Sequence, residues 1–421
     1  MSQLEGAHMT AEHRATQVME KIQTLASFSA MQDGILRAYL TEEHRQAHQQ
    51  LARWMTQAGL ETWQDEVGNQ WGRKVAANPE LPTLIIGSHS DTVANAGGYD
   101  GPLGILLAIE ALDALQDTEL PFHVDVVAFA DEEGTRFQTT LLGSSPVAGL
   151  WNPALLDRQD AEGISIGEAM RHFGLEPDNV AQAARKPEET LAYLEVHIEQ
   201  GPLLESLDLP VGVVTAIAGA KRFLIDVSGV AGHAGTVPLP LRHDALCGVA
   251  QMIATIEAFA TEHEIVATVG KCDVRSAAVN VIPGQVQFSL DIRSQSQEKL
   301  DRCTQLLMQQ LATIGEKRGL NVVHEQIYQA QAVPCSDRLQ QLWAQVVESA
   351  TGKDVCYLAS GAGHDAMVMA NLADMGMLFV RCEKGISHNP KENVQTQDVA
   401  VALDCLIRMI QSVSSYQTGT C

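Results

Sequence analysis

The chain has 421 residues, enough for two or three domains with a large buried core, and its 45% hydrophobic and 19% charged residues are ordinary for a globular protein. Lys+Arg 28 against Asp+Glu 52 leaves a net charge of −24, which repels phosphate backbones and anionic membranes, so neither nucleic acid nor membrane is expected as a partner. The opening MSQLEGAHMTAEHRATQ is polar, no stretch approaches 18 apolar residues, and the eight cysteines form no CxxC pair, so a cytoplasmic protein with reduced, mostly buried thiols is expected.

Residues from about Ala11 to Leu60 read as helical, with LTEEHRQAHQQLARWMTQAGL carrying an apolar face of helical period and Gly59 as the stop. Strands and helices then alternate to about Leu204, the pattern of an α/β layer with a mostly parallel sheet. Thr83–Gly87 (TLIIG), His123–Ala130 (HVDVVAFA) and Ala192–Ile198 (AYLEVHI) are short apolar runs of the buried-strand kind. Near Val211 the order changes. Lys221–Gly229, Ile265–Gly270, Gln285–Ile292 and Asn321–Gln326 read as strands, with helices at Asp244–Thr261 and Gln297–Gly319, which is the β-α-β-β-α-β order of a ferredoxin-like unit. After about Gln331 the alternation resumes with a helix at Arg338–Ala350, a strand at Met377–Val380 and a closing helix at Thr396–Ser414. The expected architecture is α/β: a mostly parallel-sheet catalytic domain in two parts, residues 1–210 and 331–421, with an inserted ferredoxin-like α+β domain at 211–330.

Acidic and imidazole side chains collect where these strands end, and ligand sites of open α/β sheets lie at the carboxyl ends of strands. His89 and Asp91 follow the first run, Asp131, Glu132 and Glu133 the second, and His197 closes the third. Asp100 in GGYDGPLG and His388 in GISHNP complete three imidazoles and two carboxylate ligands, the set that two adjacent divalent cations need when one carboxylate bridges them. The two-residue spacing lets Asp91 take the other ring N–H of a ligating His89, although an Asp there also suits a turn cap. Glycines around Asp100 permit the tight backbone of a bridging ligand, and Asp-Gly is also ordinary turn chemistry. Glu133 is assigned to metal and Glu132 to the general base, taking a proton from the attacking water and passing it to a leaving nitrogen. An acidic helix start is the alternative for this pair. Zinc, manganese and cobalt all suit such mixed ligands, and zinc or manganese is the expected native ion.

Together, GSHSDTVANAGGYDGPLG, FADEEGTRF, LEVHIEQGPLLE, VAGHAGTVPLPLRHDAL, VNVIPG, SGAGHDAM and GISHNPKE, in this order over about residues 15 to 412, resemble the hydantoinase/carbamoylase branch of the dimetal aminoacylase and carboxypeptidase clan. The resemblance implies His89, Asp100, Glu133, His197 and His388 as ligands of two divalent metal ions, with Asp100 bridging and Glu132 the base. An imidazole at His197, where peptidases of the clan place a carboxylate, argues against a peptidase or aminoacylase, and the intact ligand set argues against a non-catalytic relative. The inserted domain is implied to be a lid and a homodimer interface. Its His233 resembles a histidine that stabilises the oxyanion, often across that interface. Asn280 and Arg293 resemble substrate-binding residues, Arg293 as a carboxylate clamp. Gln200 and His364, with Gly361, resemble residues that line the ureido pocket. The implied substrate is a small anionic ureido acid. VGVVTAIAGAKRF followed by GVAGHAGTVPL is most similar to allantoate amidohydrolases, with N-carbamoyl-L-amino acid hydrolases as the alternative. Where some allantoate enzymes carry a substrate-contacting glutamine, this chain has Ala220.

Overall fold

The apolar runs become the centre of a large mixed sheet in the computed structural model, which describes residues 10–275 and 278–414. In chain order the first part holds α1 (Ala11–Ala26), α2 (Glu42–Gln57), β1 (Glu61–Gln64), β2 (Gln70–Lys74), β3 (Thr83–His89), α3 (Pro102–Ala114), β4 (His123–Phe129), β5 (Thr190–Ile198) and β6 (Val211–Ile217). The second holds β7 (Gly219–Ser228), β8 (Gly232–His233), β9 (Val266–Thr268), β10 (Cys272–Arg275), β11 (Val281–Ile282), β12 (Gln285–Ser294) and β13 (Asn321–Ala330), with helices Ala245–His263 and Gln297–Arg318. Short strands β14 (Val333–Pro334) and β15 (Tyr357–Ser360) precede β16 (Met375–Val380), and the helices Asp337–Thr351 and Thr396–Ser412 complete the chain.

The chain divides into two compact units. The first runs to Thr215 and takes up again at Cys335–Leu358 and from Ala362; the second is Ala216–Pro334 with Ala359–Gly361. These divisions fall a few residues beyond the expected ones at 210 and 330, because Val211 opens β6, which is hydrogen-bonded to β16.

In the first unit the sheet order is β1-β2-β4-β3-β5-β16-β6. β3 pairs in parallel with β4 and β5, and β5 with β16, while β2 and β6 flank this centre antiparallel. Every residue of β3, β4 and β16 is buried, as strands covered on both faces require. α3 is buried along nearly its whole length, from Pro102 to Leu112, and packs with α1 and the helix Thr396–Ser412 over one sheet face. Gly104 brings this helix so close to the sheet that a Cβ would collide with the Val196 carbonyl.

The second unit has the sheet order β10-β12-β7-β13, with β9 extending the β10 edge along β12. All its pairings are antiparallel. Its two long helices cover the face formed by Phe223, Ile225, Val227, Val286, Phe288, Leu290 and Ile292. This is the ferredoxin-like arrangement expected from the element order. No helix of the described residues is long and apolar enough to cross a membrane. The seven described cysteines are free thiols and four of them are buried; Cys421 and the first nine residues lie outside the described chain.

Candidate metal centre

The carboxyl ends of the parallel strands deliver the expected residues to one place in the first unit. His89 is the last residue of β3, His197 the penultimate residue of β5, Glu132 and Glu133 follow β4, and His388 stands in the loop beyond β16. Asp100 precedes α3, where Gly101 has φ 83° and a Cβ would run into the His89 carbonyl, so glycine is required beside the carboxylate.

Asp100 is the centre of the group. Its Oδ1 lies 3.1 Å from His197 Nε2 and 3.6 Å from His89 Nε2, while its Oδ2 lies 3.1 Å from His388 Nε2. Glu133 Oε1 is 3.2 Å from His388 Nε2. One oxygen therefore serves His89 and His197, the other His388 and Glu133, which is how a bridging carboxylate divides between two ions. The second ring nitrogens decide the tautomers. His89 Nδ1 donates to the Asp91 carbonyl at 3.1 Å and His197 Nδ1 to the Ile198 carbonyl at 2.9 Å. In neutral rings both Nε2 atoms then carry lone pairs, and they face each other at 3.4 Å beside a carboxylate oxygen that no donor satisfies. A buried cluster made only of acceptors needs positive charge. Ligand bonds of about 2.05 Å in tetrahedral geometry put donor atoms about 3.3 Å apart, so the observed separations fit a first-row divalent ion in each half.

Without an ion, protons supply that charge. Asp100 and Glu133 draw the His388 imidazole up to about 10 against the opposing effect of burial. Burial also opposes a charged His89, yet Asp100 and Asp91 raise its pKa well above the usual histidine range. A raised folded-state pKa contributes stability that is complete below the ordinary value of 6.5 and is lost as pH climbs through the folded value. Chelator-treated protein is therefore expected to lose melting temperature between pH 6.5 and pH 10, while metal-loaded protein escapes that loss because protons no longer hold the site. Parallel pH slopes for the two forms would count against metal occupancy of these ligands.

Asp91 acts in two ways. Its backbone carbonyl takes the His89 ring proton, and its carboxylate, 3.5 Å from that nitrogen, accepts the amides of Glu132 at 2.9 Å and Glu133 at 3.1 Å. Asp91 thus ties the end of β3 to the acidic pair after β4. Glu132 is buried, and burial together with the surrounding acids pushes its carboxyl up to about 8 against the effect of His89.

Several residues around Asp100 carry no sequence signal of their own. Glu392 accepts the amides of Tyr99 at 2.7 Å and Asp100 at 3.0 Å, and Ser387 Oγ lies 2.9 Å from Asp100 Oδ2 and 3.0 Å from Glu392. Gln200, expected in the substrate pocket, has a left-handed backbone (φ 56°) and donates its amide to Asp100 Oδ2 at 3.0 Å. His364 is buried with its ring 4.5 Å from that of His197, and burial holds it neutral. Glu195, two residues before His197 on β5, accepts from Ser88, Tyr193 and the Ala366 amide.

His233, Asn280, Arg293 and Gly361 belong to the second unit. His233 is exposed, and its Nδ1 accepts the Gly235 amide at 3.0 Å, which leaves Nε2–H as an outward donor. Asn280 is exposed, with its carbonyl taken by the Ala234 amide. Arg293 is already engaged: Nε and Nη2 grip Asp291 at 2.8 and 3.0 Å, and Nη1 donates to the Gly361 carbonyl. One N–H remains on each terminal nitrogen, so the end of the guanidinium still offers a two-pronged grip. Arg293 lines a cavity of about 840 Å³ with Arg222, Asp291 and Gly361.

A buried carboxylate shared by imidazoles at parallel strand ends makes this a candidate site for divalent metal ions. The chain belongs to the peptidase family M20/M25/M40, whose family model matches residues 85–412. It is 40% identical over 380 residues to the N-carbamoyl-L-amino acid amidohydrolase of Geobacillus stearothermophilus, spanning 90% of this chain and 93% of that one. It is 37% identical over 429 residues to the allantoate deiminase of Arabidopsis thaliana, spanning 94% and 82%. A solved hydantoinase/carbamoylase family amidase from Burkholderia multivorans superposes with a TM-score of 0.88 at 30% identity, over 95% of this chain and 98% of that one.

Proposed function

We propose that this chain is a metal-dependent amidohydrolase that cleaves a C–N bond of a small ureido acid, with allantoate as first substrate. Water and allantoate would give ureidoglycine, ammonia and carbon dioxide. The facing acceptors His89 Nε2, His197 Nε2 and Asp100 Oδ1, with the buried Glu132 beside them, carry this reading. His89 and His197 would hold one ion, His388 and Glu133 the other, and Asp100 both; zinc and manganese suit these donors. The bound ions would supply Lewis acidity and lower the pKa of attacking water towards ~7. Glu132 takes the proton from that water and returns it to the leaving nitrogen. His233, with its free Nε2–H, is suited to the developing oxyanion, a role worth about 3 kcal/mol for a preorganised donor. Hydrolysis of N-carbamoyl-L-amino acids is the second reading, favoured by the 40% identical relative and by Ala220. Ammonia release by metal-reconstituted protein, measured against allantoate, N-carbamoyl-L-amino acids and dipeptides, separates these readings. Activity on dipeptides alone would overturn both.

The free end of Arg293 is the proposed carboxylate clamp, the local attraction that a chain of net charge −24 requires for an anionic substrate. Arg293→Lys keeps the charge and removes the planar fork. KM is expected to rise at least ~10-fold for allantoate and to change little for an analogue whose carboxylate is an amide, since losing a charge-assisted pair costs about 1.5–3 kcal/mol. An equal rise for both compounds would assign Arg293 to the fold of its own unit.

A homodimer through the inserted unit is proposed as the working form. Leu239, Leu241, Val230 and Val279 are exposed on the stretches that carry His233 and Asn280, an apolar surface suited to a second copy. Light scattering is expected to report a dimer at assay concentrations. A fully active monomer would remove this assignment.

A further inference from the structure

Behind the turn that carries His89 and Asp91 runs a chain of buried polar side chains that the reaction does not use. The Leu40 amide donates to His44 Nδ1 at 3.0 Å, which fixes the His44 proton on Nε2. That proton is given to His48 Nδ1 at 3.1 Å, so His48 in turn donates from Nε2 to Ser90 Oγ at 2.6 Å. Ser90 Oγ passes its own proton to the Phe129 carbonyl at 2.8 Å. Each link therefore has one direction, set from Leu40 onward. His44 and His48 stand four residues apart on one face of α2, and both are 1% exposed.

Ser90 is held at its other polar atoms as well. Its amide donates to Phe129 O at 2.9 Å, and its carbonyl accepts Arg37 Nε at 2.6 Å. Arg37 is also 1% exposed; it donates to the Leu25 carbonyl at 2.8 Å and the Phe28 carbonyl at 3.3 Å, and no carboxylate of the described residues bonds to it. Its backbone meets Thr92 in both directions, N–H to Oγ1 and carbonyl to amide, each at 3.0 Å. Burying a guanidinium and two imidazoles this way stabilises a fold less than apolar packing of the same volume would. What such a network provides is a single geometry.

We propose that His48, supported by His44, and Arg37 are positioning residues for the metal centre: by fixing Ser90 they set the orientation of His89 and Asp91 on either side of it. The inference rests on the reading of His89 as a metal ligand. It does not depend on which ureido acid is the substrate.

The test is zinc affinity of the full-length protein, measured by chelator competition without substrate, beside the melting temperature of the metal-free form. His48→Phe keeps the ring volume and removes the donor; Ser90→Ala removes the acceptor. Each is expected to weaken zinc binding 10- to 100-fold, the usual effect of removing a partner that orients a ligand. The double variant should lose no more than the weaker single one, because both changes cut one path, and His48→Gln, which returns an N–H near the Nε2 position, should recover most of the affinity. Zinc affinities within twofold of wild type, even with lowered melting temperatures, would overturn the proposal, as would additive losses in the double variant. Should His48→Phe fail to fold, unchanged affinity in Ser90→Ala overturns it alone. A wild-type chain that bound no zinc would sink the metal-centre reading and this inference with it, whereas wild-type binding with indifferent variants sinks only the inference.

Discussion

Glu132→Gln is expected to keep its metal and lose turnover by at least ~100-fold, the scale on which a positioned acid/base contributes. The amide side chain is close in size, and Asp91 holds the Glu132 backbone through its amide rather than its side chain, so the ligands next to it stay in register. What disappears is a group able to take a proton and give it back. Metal analysis beside steady-state kinetics checks both halves of the expectation. Wild-type-like turnover would remove Glu132 from the mechanism, and loss of metal would show it to be part of the ligand set.

Asp100→Ala should fail earlier, at metal binding. Both halves of the proposed centre would use this carboxylate, one oxygen each, and Gln200, Ser387 and Glu392 are all arranged around it. Its removal leaves His89 and His197 facing each other without an anion, and His388 with Glu133 alone. Purified protein is expected to retain neither ion and no measurable activity. Full occupancy of two ions by elemental analysis would contradict the bridging role.

The gathering of the candidate ligands was legible because their chemistry is written at strand ends: His89, His197 and the Asp131 to Glu133 triplet each close an apolar run, and the runs themselves set the parallel centre. The antiparallel flanks were harder to read. β6 looks like the start of the inserted domain because its residues resemble any apolar strand, and only its pairing with β16 assigns it to the large sheet. The helical reading of residues 11 to 60 merged two helices; Gly34 at φ 82° and the Ile35 to Ala96 bridge occupy the break. Between β4 and β5 the chain forms short 3-10 turns and two brief helices where regular alternation was expected, since short segments with no buried face, such as Pro153–Asp157, have no period to detect. Around the site, Gln200 illustrates a different obstacle. Its residue type suits a substrate pocket, and its hydrogen bond to Asp100, made from a backbone of positive φ, is invisible in composition.

β16 enters the sheet between β5 and β6, although the chain makes both of those strands long before it. On a ribosome, β5 therefore leaves with the edge that later pairs with β16 open until the C-terminal segment follows, the interval in which open strand edges invite wrong partners. The same delay separates the two halves of the centre. His89, Asp100 and His197 are all present once β5 has been synthesised, whereas His388 arrives after β16. On the proposed ligand assignment, the order of synthesis would give the nascent chain one nearly complete ion site while the other still waits for its imidazole, which follows the strand that closes the sheet.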